Sequence, residues 1–193
     1  MTERPAIVER NPRPAWSAVL AREPQALDLL CRQWLPVVLQ WCRRLGGPRV
    51  DPDQACQEVF LVLLDRLNDV HSEEALPGFL FGVTRRVLAR HRRVTWQQRW
   101  VPDVVLDAFG VDRTPEMDVS TATLVAAVQE IVAELPPEVA EVWVLCEVEG
   151  RTVPEAVDLL GVVEGTLRSR LRKARQMVRA KSIRRGLLDG EER

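Results

Sequence analysis

Residues 152–175 read TVPEAVDLLGVVEGTLRSRLRKAR, and this stretch decides the fold of the second half of the chain. Thr152 with Glu155 three residues later is a capping box, and a proline lies in the first turn of the helix that it begins. Gly161 can adopt the left-handed conformation that ends a helix. A second helix starts a few residues later. The spacing therefore predicts two short helices joined by a glycine turn, which is a helix-turn-helix.

The second helix of this motif separates apolar from basic side chains. Its apolar residues recur at steps of four, three and four, at Leu167, Leu171, Ala174 and Val178. The opposite face offers hydrogen-bond donors, and the arginine fork suits the two acceptors of guanine. We therefore assign Arg168, Ser169 and Arg172 to base contacts in the major groove. The other candidate DNA contacts are Glu164, Thr166, Lys173, Arg175 and Arg179, of which the last three suit phosphates. The alternative is a basic amphipathic helix that binds a protein or nothing.

Charge is segregated along the chain although 27 basic and 28 acidic residues give a net charge of -1. Basic residues collect in segments 84–93 and 168–185, and acidic residues collect in 101–120 and 130–158. Two basic segments with acid between them indicate two contacts to a polyanion, the alternative being two solvated helix faces. We interpret the acids between 134 and 149 as solvated helix faces rather than paired catalytic carboxylates.

Helical periodicity predicts three helices in the first half of the chain, from about 27 to 45, 51 to 67 and 76 to 93. A glycine pair and a proline end the first, and Asp51 before a proline begins the second. In the second half, an apolar stripe from Leu124 to Val132 precedes a break at two prolines. A further helix then ends at Gly150. No segment alternates with a period of two residues.

The predicted fold class is therefore all-α, with two small helical domains. The predicted divisions are an N-terminal arm (1–15), a first domain (16–98), an acidic linker (99–121), a second domain (122–185) and a C-terminal tail (186–193).

Composition narrows the function classes. No run of 18 apolar residues occurs and the first 16 residues lack the apolar stretch of a signal peptide, so we expect a soluble cytoplasmic protein with no membrane contact. The four cysteines form no C-x-x-C pair and only two histidines occur, so we expect no zinc site and no cofactor. Buried or half-buried thiols are expected, and a redox switch is the alternative. The sequence contains no glycine-rich phosphate loop and no H-E-x-x-H motif. We therefore expect that the chain is not an enzyme.

Two stretches resemble a single protein family. The run LPPEVAEVWVLCEVEG (135–150), continued by GTLRSRLRKAR (165–175), resembles region 4 of bacterial sigma-70-type factors, especially the extracytoplasmic-function (ECF) group. DPDQACQEVFLVLLDRL (51–67) and GFLFGVTRRVLARHRR (78–93) resemble region 2 of the same group. The resemblance implies that the first domain binds the clamp coiled coil of the RNA polymerase core and melts the promoter -10 element. It implies that the second domain contacts the -35 element and the polymerase flap. It also implies an anti-sigma factor as a further partner.

The resemblance also suggests site residues in the first domain. The candidate contacts to core polymerase are Asp53, Gln54, Gln57, Glu58 and Leu61, which suit a polar-rimmed contact with another helix. The candidate contacts to the -10 element are Arg85, Arg86, Arg90, Arg93 and Trp96. The arginines can neutralise phosphate beside an opened strand. Trp96 can stack on an unpaired base, or else it packs at the edge of the domain.

Three residues depart from the pattern of the family. Gln54 and Arg86 stand where Asp and Asn are common, and Arg90 stands where an Asp usually follows. These changes remove a negative charge at the core contact and make the DNA face more basic. They favour an alternative function, a helix-turn-helix DNA-binding regulator or degenerate sigma-like adaptor that does not itself direct initiation.

Overall fold

The computed structural model describes residues 14–97 and 119–188, with side chains over 14–93 and 124–188. These residues form eight α-helices, and no strand occurs among them, which confirms the all-α fold class. The helices are α1 (Trp16–Leu20), α2 (Pro24–Gly46), α3 (Pro52–Asp65), α4 (Leu76–Gln97), α5 (Val119–Ala133), α6 (Pro137–Trp143), α7 (Val153–Leu160) and α8 (Glu164–Arg184). We call α1 to α4 the amino-terminal bundle and α5 to α8 the carboxy-terminal unit.

Local signals begin and end the helices of the amino-terminal bundle as predicted. The Asp51 carboxylate caps α3, because its Oδ1 atom accepts the backbone N–H of Asp53 at 2.9 Å and of Gln54 at 3.1 Å. Gly47, with φ +79°, ends α2. Two short 3-10 turns, Leu67–Asp69 and Glu73–Ala75, connect α3 to α4.

The core of the amino-terminal bundle forms around two aromatic rings. Trp41 of α2 and Phe81 of α4 are fully buried and meet edge to face with ring centroids 4.9 Å apart. Such a pair adds about 0.5–1.5 kcal/mol beyond the area that it buries. Thr84 is also buried, and its hydroxyl donates to the Leu80 carbonyl at 2.8 Å, so its polar group is satisfied.

The helix-turn-helix of the carboxy-terminal unit has the predicted ends. The Thr152 N–H donates to the Glu155 carboxylate at 2.7 Å, and the Glu155 N–H donates to the Thr152 hydroxyl at 3.5 Å, which completes the capping box. Gly161 closes α7 in the left-handed conformation, with φ +63°. α8 begins three residues later.

Two expectations for this unit are wrong. The helix that begins at Pro137 does not run unchanged to Gly150, because it becomes a π-helical turn, Val144–Val148, in which the Glu149 N–H donates to the Val144 carbonyl at 2.9 Å. Leu124 was expected on the inner face of α5 but is 49% exposed, whereas Ile131 and Val132 of the same helix are buried.

The two units pack against each other, and their buried apolar side chains form one continuous core. α2 contacts α5 and α6, and α4 contacts α7. A Cβ atom added at Gly78 of α4 would lie 3.8 Å from the Asp158 carbonyl oxygen of α7, so the two backbones approach closely. An open, mainly apolar groove of about 970 Å³ runs between α2, α5 and α6. Within the described ranges, no helix combines the length and apolarity needed to cross a bilayer.

Candidate nucleic-acid and polymerase interfaces

α8 presents two faces of opposite chemistry. Its apolar stripe packs inward, with Leu167, Leu171 and Ala174 buried and Val178 half-buried. The exposed side chains of the outer face include Arg168, Ser169, Arg172, Lys173, Arg175 and Arg179. α8 therefore has the buried apolar face and the exposed basic face that the sequence predicts. The outer face is open to a duplex, and its contacts with DNA stay a prediction.

The first turn of α8 contains an ion pair between two of the predicted contacts. The Arg168 Nε atom donates to Glu164 Oε1 at 2.7 Å, and both side chains are largely exposed. Such an exposed i,i+4 pair contributes only about 0.3–0.5 kcal/mol, so a base or phosphate can replace Glu164 as the partner of Arg168. Thr166 in the same turn is half-buried.

Basic residues nearer the end of α8 also have partners within the chain. Arg175 donates twice to Glu147 Oε1, at 2.9 and 2.7 Å, so its assignment as a phosphate contact requires exchange of that partner. Arg179 also has an interaction within the chain. Arg185 pairs with Glu130 at 2.6 Å and with Glu134 at 2.5 Å, which ties the end of α8 to α5.

α4 carries the candidate -10 contacts in three different settings. Arg86 and Arg93 are exposed. Arg90 is paired with Glu58 of α3, and the Arg85 Nε atom donates to Glu141 of α6 at 2.7 Å. Trp96 falls within α4, but its side chain lies outside the described residues.

The candidate polymerase contacts form an exposed strip on α3. Asp53, Gln54 and Gln57 are exposed, and Leu61 is 67% exposed. An exposed leucine on the same helix face as polar side chains suits an apolar anchor with a polar rim at a protein contact. Glu58 is different, because it is half-buried and lies against α4, with its Oε2 atom 2.7 Å from His91 Nε2.

Two acids expected on solvated faces are buried, so that expectation is wrong. Glu141 is 5% exposed, and the Glu149 side chain is 7% exposed. Burial raises the pKa of Glu141, and the nearby guanidinium groups, chiefly that of Arg85, only partly offset the rise. No local signal separates these two acids from Glu147, which lies in the same stretch of residues 139–149 and is exposed.

The cysteine side chains are buried or half-buried, as predicted. Burial raises the pKa of Cys42 to about 12 and that of Cys56 to about 11. Both therefore remain protonated at neutral pH, and a protonated thiol is a poor nucleophile. This weakens the redox-switch alternative at these two positions.

Comparison with known proteins gives the family. The model of Sigma-70 region 2 matches residues 30–98, and that of Sigma-70, region 4 matches residues 126–178. The ECF RNA polymerase sigma factor SigE of Mycolicibacterium smegmatis is 30% identical over 179 residues, which are 89% of this chain and 69% of that protein. The chain belongs to the ECF group of the sigma-70 family. ECF sigma factors direct RNA polymerase core to promoters, which assigns this chain to transcription initiation.

One further relative and one solved structure are similar to this chain. The RNA polymerase sigma factor NccH of Alcaligenes xylosoxydans xylosoxydans is 27% identical over 145 residues, which are 73% of this chain and 78% of that protein. The fold is shared with the structure of CnrH in complex with the cytosolic domain of CnrY, with a TM-score of 0.62 and 20% identity over 87% of this chain and 95% of that chain. The matched regions 2 and 4 fall inside the two domains predicted from the sequence.

Proposed function

We propose that this ECF sigma factor binds core polymerase through the α3 strip and directs it to promoters through two basic surfaces, one on α8 and one on α4. The observation that carries the proposal is the division of α8, with its leucine stripe buried and its arginine row exposed. A helix that packs through one face and offers arginine, serine and lysine on the other can enter a major groove without disturbing its own domain.

Arg168 and Arg172 supply the base contacts of the -35 element in this proposal. They lie one helical turn apart, which is about 6 Å along the helix axis. Successive base pairs are separated by about 3.4 Å, so the two guanidinium groups can reach base pairs that are one or two steps apart. Lys173 then lies beside them for a phosphate contact.

The α4 surface holds the opened strand of the -10 element. Arg86 and Arg93 are exposed and can neutralise its phosphates at once. Arg85 and Arg90 can do so only after they exchange Glu141 and Glu58 for DNA. Stacking of an unpaired base on Trp96 stays a prediction.

The chain performs no chemistry in this proposal, because the polymerase core forms the phosphodiester bonds and this chain places it on the promoter. The site of action is then the cytoplasm, where polymerase and chromosome are. The anti-sigma factor that the resemblance implies stays a prediction.

A gel shift with and without core polymerase tests the proposal. A sigma factor should shift promoter duplex only when core is present. Leu61→Ala should weaken the capture of core about tenfold, because it removes the large exposed apolar side chain of the α3 strip. Leu35→Ala removes another exposed leucine, on α2 and outside the strip, and should leave capture unchanged. An equal shift without core would favour the regulator alternative.

A further inference from the structure

The ion pair in the first turn of α8 uses only one side of each head group. The Arg168 Nε atom donates to Glu164 Oε1 at 2.7 Å, and Arg168 Nη2 lies 2.6 Å from the same oxygen. Among the residues that the structure describes, no hydrogen bond reaches Glu164 Oε2 or leaves Arg168 Nη1. The ion pair therefore keeps one carboxylate oxygen that can accept and guanidinium N–H groups that can donate.

This ion pair lies at the end of α8 that a helix-turn-helix inserts into DNA. Glu164 is the first residue of the helix, and Arg168 follows one turn later. Residues at the amino-terminal end of a recognition helix contact base edges in the major groove. The Glu164 and Arg168 side chains are 56% and 65% exposed, so a duplex can reach both of them.

A carboxylate in a DNA groove needs compensation, because the phosphates on both sides repel it. Arg168 places a positive charge beside Glu164, so the ion pair enters the groove with no net charge. The amino-terminal end of a helix also favours a negative charge, because its backbone N–H groups carry partial positive charge. Both effects let Glu164 stand where an unpaired acid would weaken DNA binding.

A C·G base pair presents the pattern that complements this ion pair. In the major groove the cytosine N4 amino group donates, and the guanine O6 and N7 atoms accept. An acidic side chain can accept from cytosine N4, and the arginine fork suits guanine. Arg168 does not need to release Glu164, because Nη1 has two N–H groups of its own to donate. A thymine in place of the cytosine would set its O4 acceptor against the carboxylate, so the ion pair disfavours T·A.

We propose that Glu164 and Arg168 form one reading unit that selects a C·G base pair in the -35 element, with Glu164 on cytosine N4 and Arg168 on the guanine. The proposal deepens the proposed function and rests on it, because it takes α8 to be the helix that enters the groove. Glu164 thereby becomes a specificity-determining residue, and its ion pair does more than stabilise the first turn of α8.

Competition binding by the complex of this chain with core polymerase tests the proposal, with -35 duplexes changed one base pair at a time. Wild type should favour C·G at one position, and Glu164→Ala should lower the preference for C·G over T·A there about tenfold. Glu147→Ala is the matched control, because it also removes an exposed acid that pairs with an arginine of α8, Arg175. It should leave every base preference unchanged. Circular dichroism checks that both variants keep their helices.

A modified duplex isolates the single hydrogen bond on which the proposal depends. At the selected position, the cytosine is replaced by an analogue that lacks the 4-amino group, opposite an unchanged guanine. The replacement should weaken binding about tenfold more for wild type than for Glu164→Ala, because only wild type loses a contact to the protein. Equal weakening of both proteins, or a Glu164→Ala variant with the base preferences of wild type at every position, would overturn the proposal.

The base preferences of wild type alone test the proposed function separately. A wild-type complex that selects -35 sequences, while both proteins respond equally to the analogue, supports the proposed function and overturns only the reading unit. A wild-type complex with no preference at any -35 position would overturn the proposed function and this inference with it.

Discussion

Arg168 and Arg172 are the residues on which promoter choice depends in this account. Replacing either with alanine should cost about 1–3 kcal/mol of binding at the preferred -35 sequence, because a bidentate contact to a base is lost. The cost at a scrambled -35 sequence should be much smaller. Competition binding of the polymerase complex to both duplexes measures this difference.

Lys173→Ala is the matched control on the same exposed face. A phosphate contact carries no sequence information, so its loss should weaken binding to both duplexes by the same factor and reduce the salt dependence. Equal behaviour of Arg168→Ala and Lys173→Ala would show that the base contacts are assigned to the wrong residues.

The Glu141 carboxyl predicts one way in which the free energy of unfolding depends on pH. Burial places its folded-state pKa above the ordinary value of 4.5, so the folded chain binds this proton more tightly than the unfolded chain. The free energy of unfolding should therefore fall as pH rises from 4.5 through the folded pKa. Glu141→Gln has no titrating carboxyl at this position. Its free energy of unfolding should therefore rise relative to that of wild type between pH 4.5 and 7. Urea denaturation at both values measures the gain.

Glu134 should give the opposite pH dependence of the free energy of unfolding. Its hydrogen bond with Lys181 lowers its pKa, so its stabilising effect is present above the ordinary value and is lost as pH falls through the folded pKa. Glu134→Gln should therefore be less stable than wild type at pH 7, with the gap closing in acid. A parallel pH dependence for the two variants would contradict the burial argument.

At the scale of the element, the leucine stripe of α8 holds the helix-turn-helix together. Leu171 is buried against the rest of the carboxy-terminal unit, and its replacement by alanine should cost about 2–5 kcal/mol of unfolding free energy. Leu61→Ala makes the same change on an exposed position of α3 and should cost about 0.5 kcal/mol or less. Similar losses in urea denaturation would mean that the two faces of α8 are assigned wrongly.

Helix ends were predictable because their causes are local. Asp51, Thr152 and Gly161 act on backbone groups within a few residues, and each has the predicted geometry. The π-helical turn and the burial of Glu141 and Glu149 were not predictable in this way. They depend on groups contributed by distant segments, such as Arg85 and Arg44.

The same distinction applies to the candidate sites. The outer face of α8 followed from apolar periodicity, since a buried stripe fixes which residues point away from it. The partners of Arg85 and Arg90 lie 56 and 32 residues away, in other helices, so the sequence suggested free cations where the structure has ion pairs. The half-buried position of Glu58 against His91 likewise depends on a pairing between residues 33 apart in the chain.

At the scale of the whole molecule, two regions of one sigma factor share a continuous core. Their proposed work is to bind promoter elements far apart on a duplex. The contacts between α4 and α7 and between α2 and α5 join the two regions in the structure. The α3 strip is exposed beside this shared core, so the proposed contact with core polymerase needs no rearrangement of α3.

Run-off transcription with purified core polymerase tests the central claim most directly. The account predicts a transcript with a single defined start when this chain is added to core and a promoter template. The transcript should be absent with core alone and weakened by Leu61→Ala. A chain that binds no core, and leaves the transcripts of core unchanged when added in excess, would contradict the account.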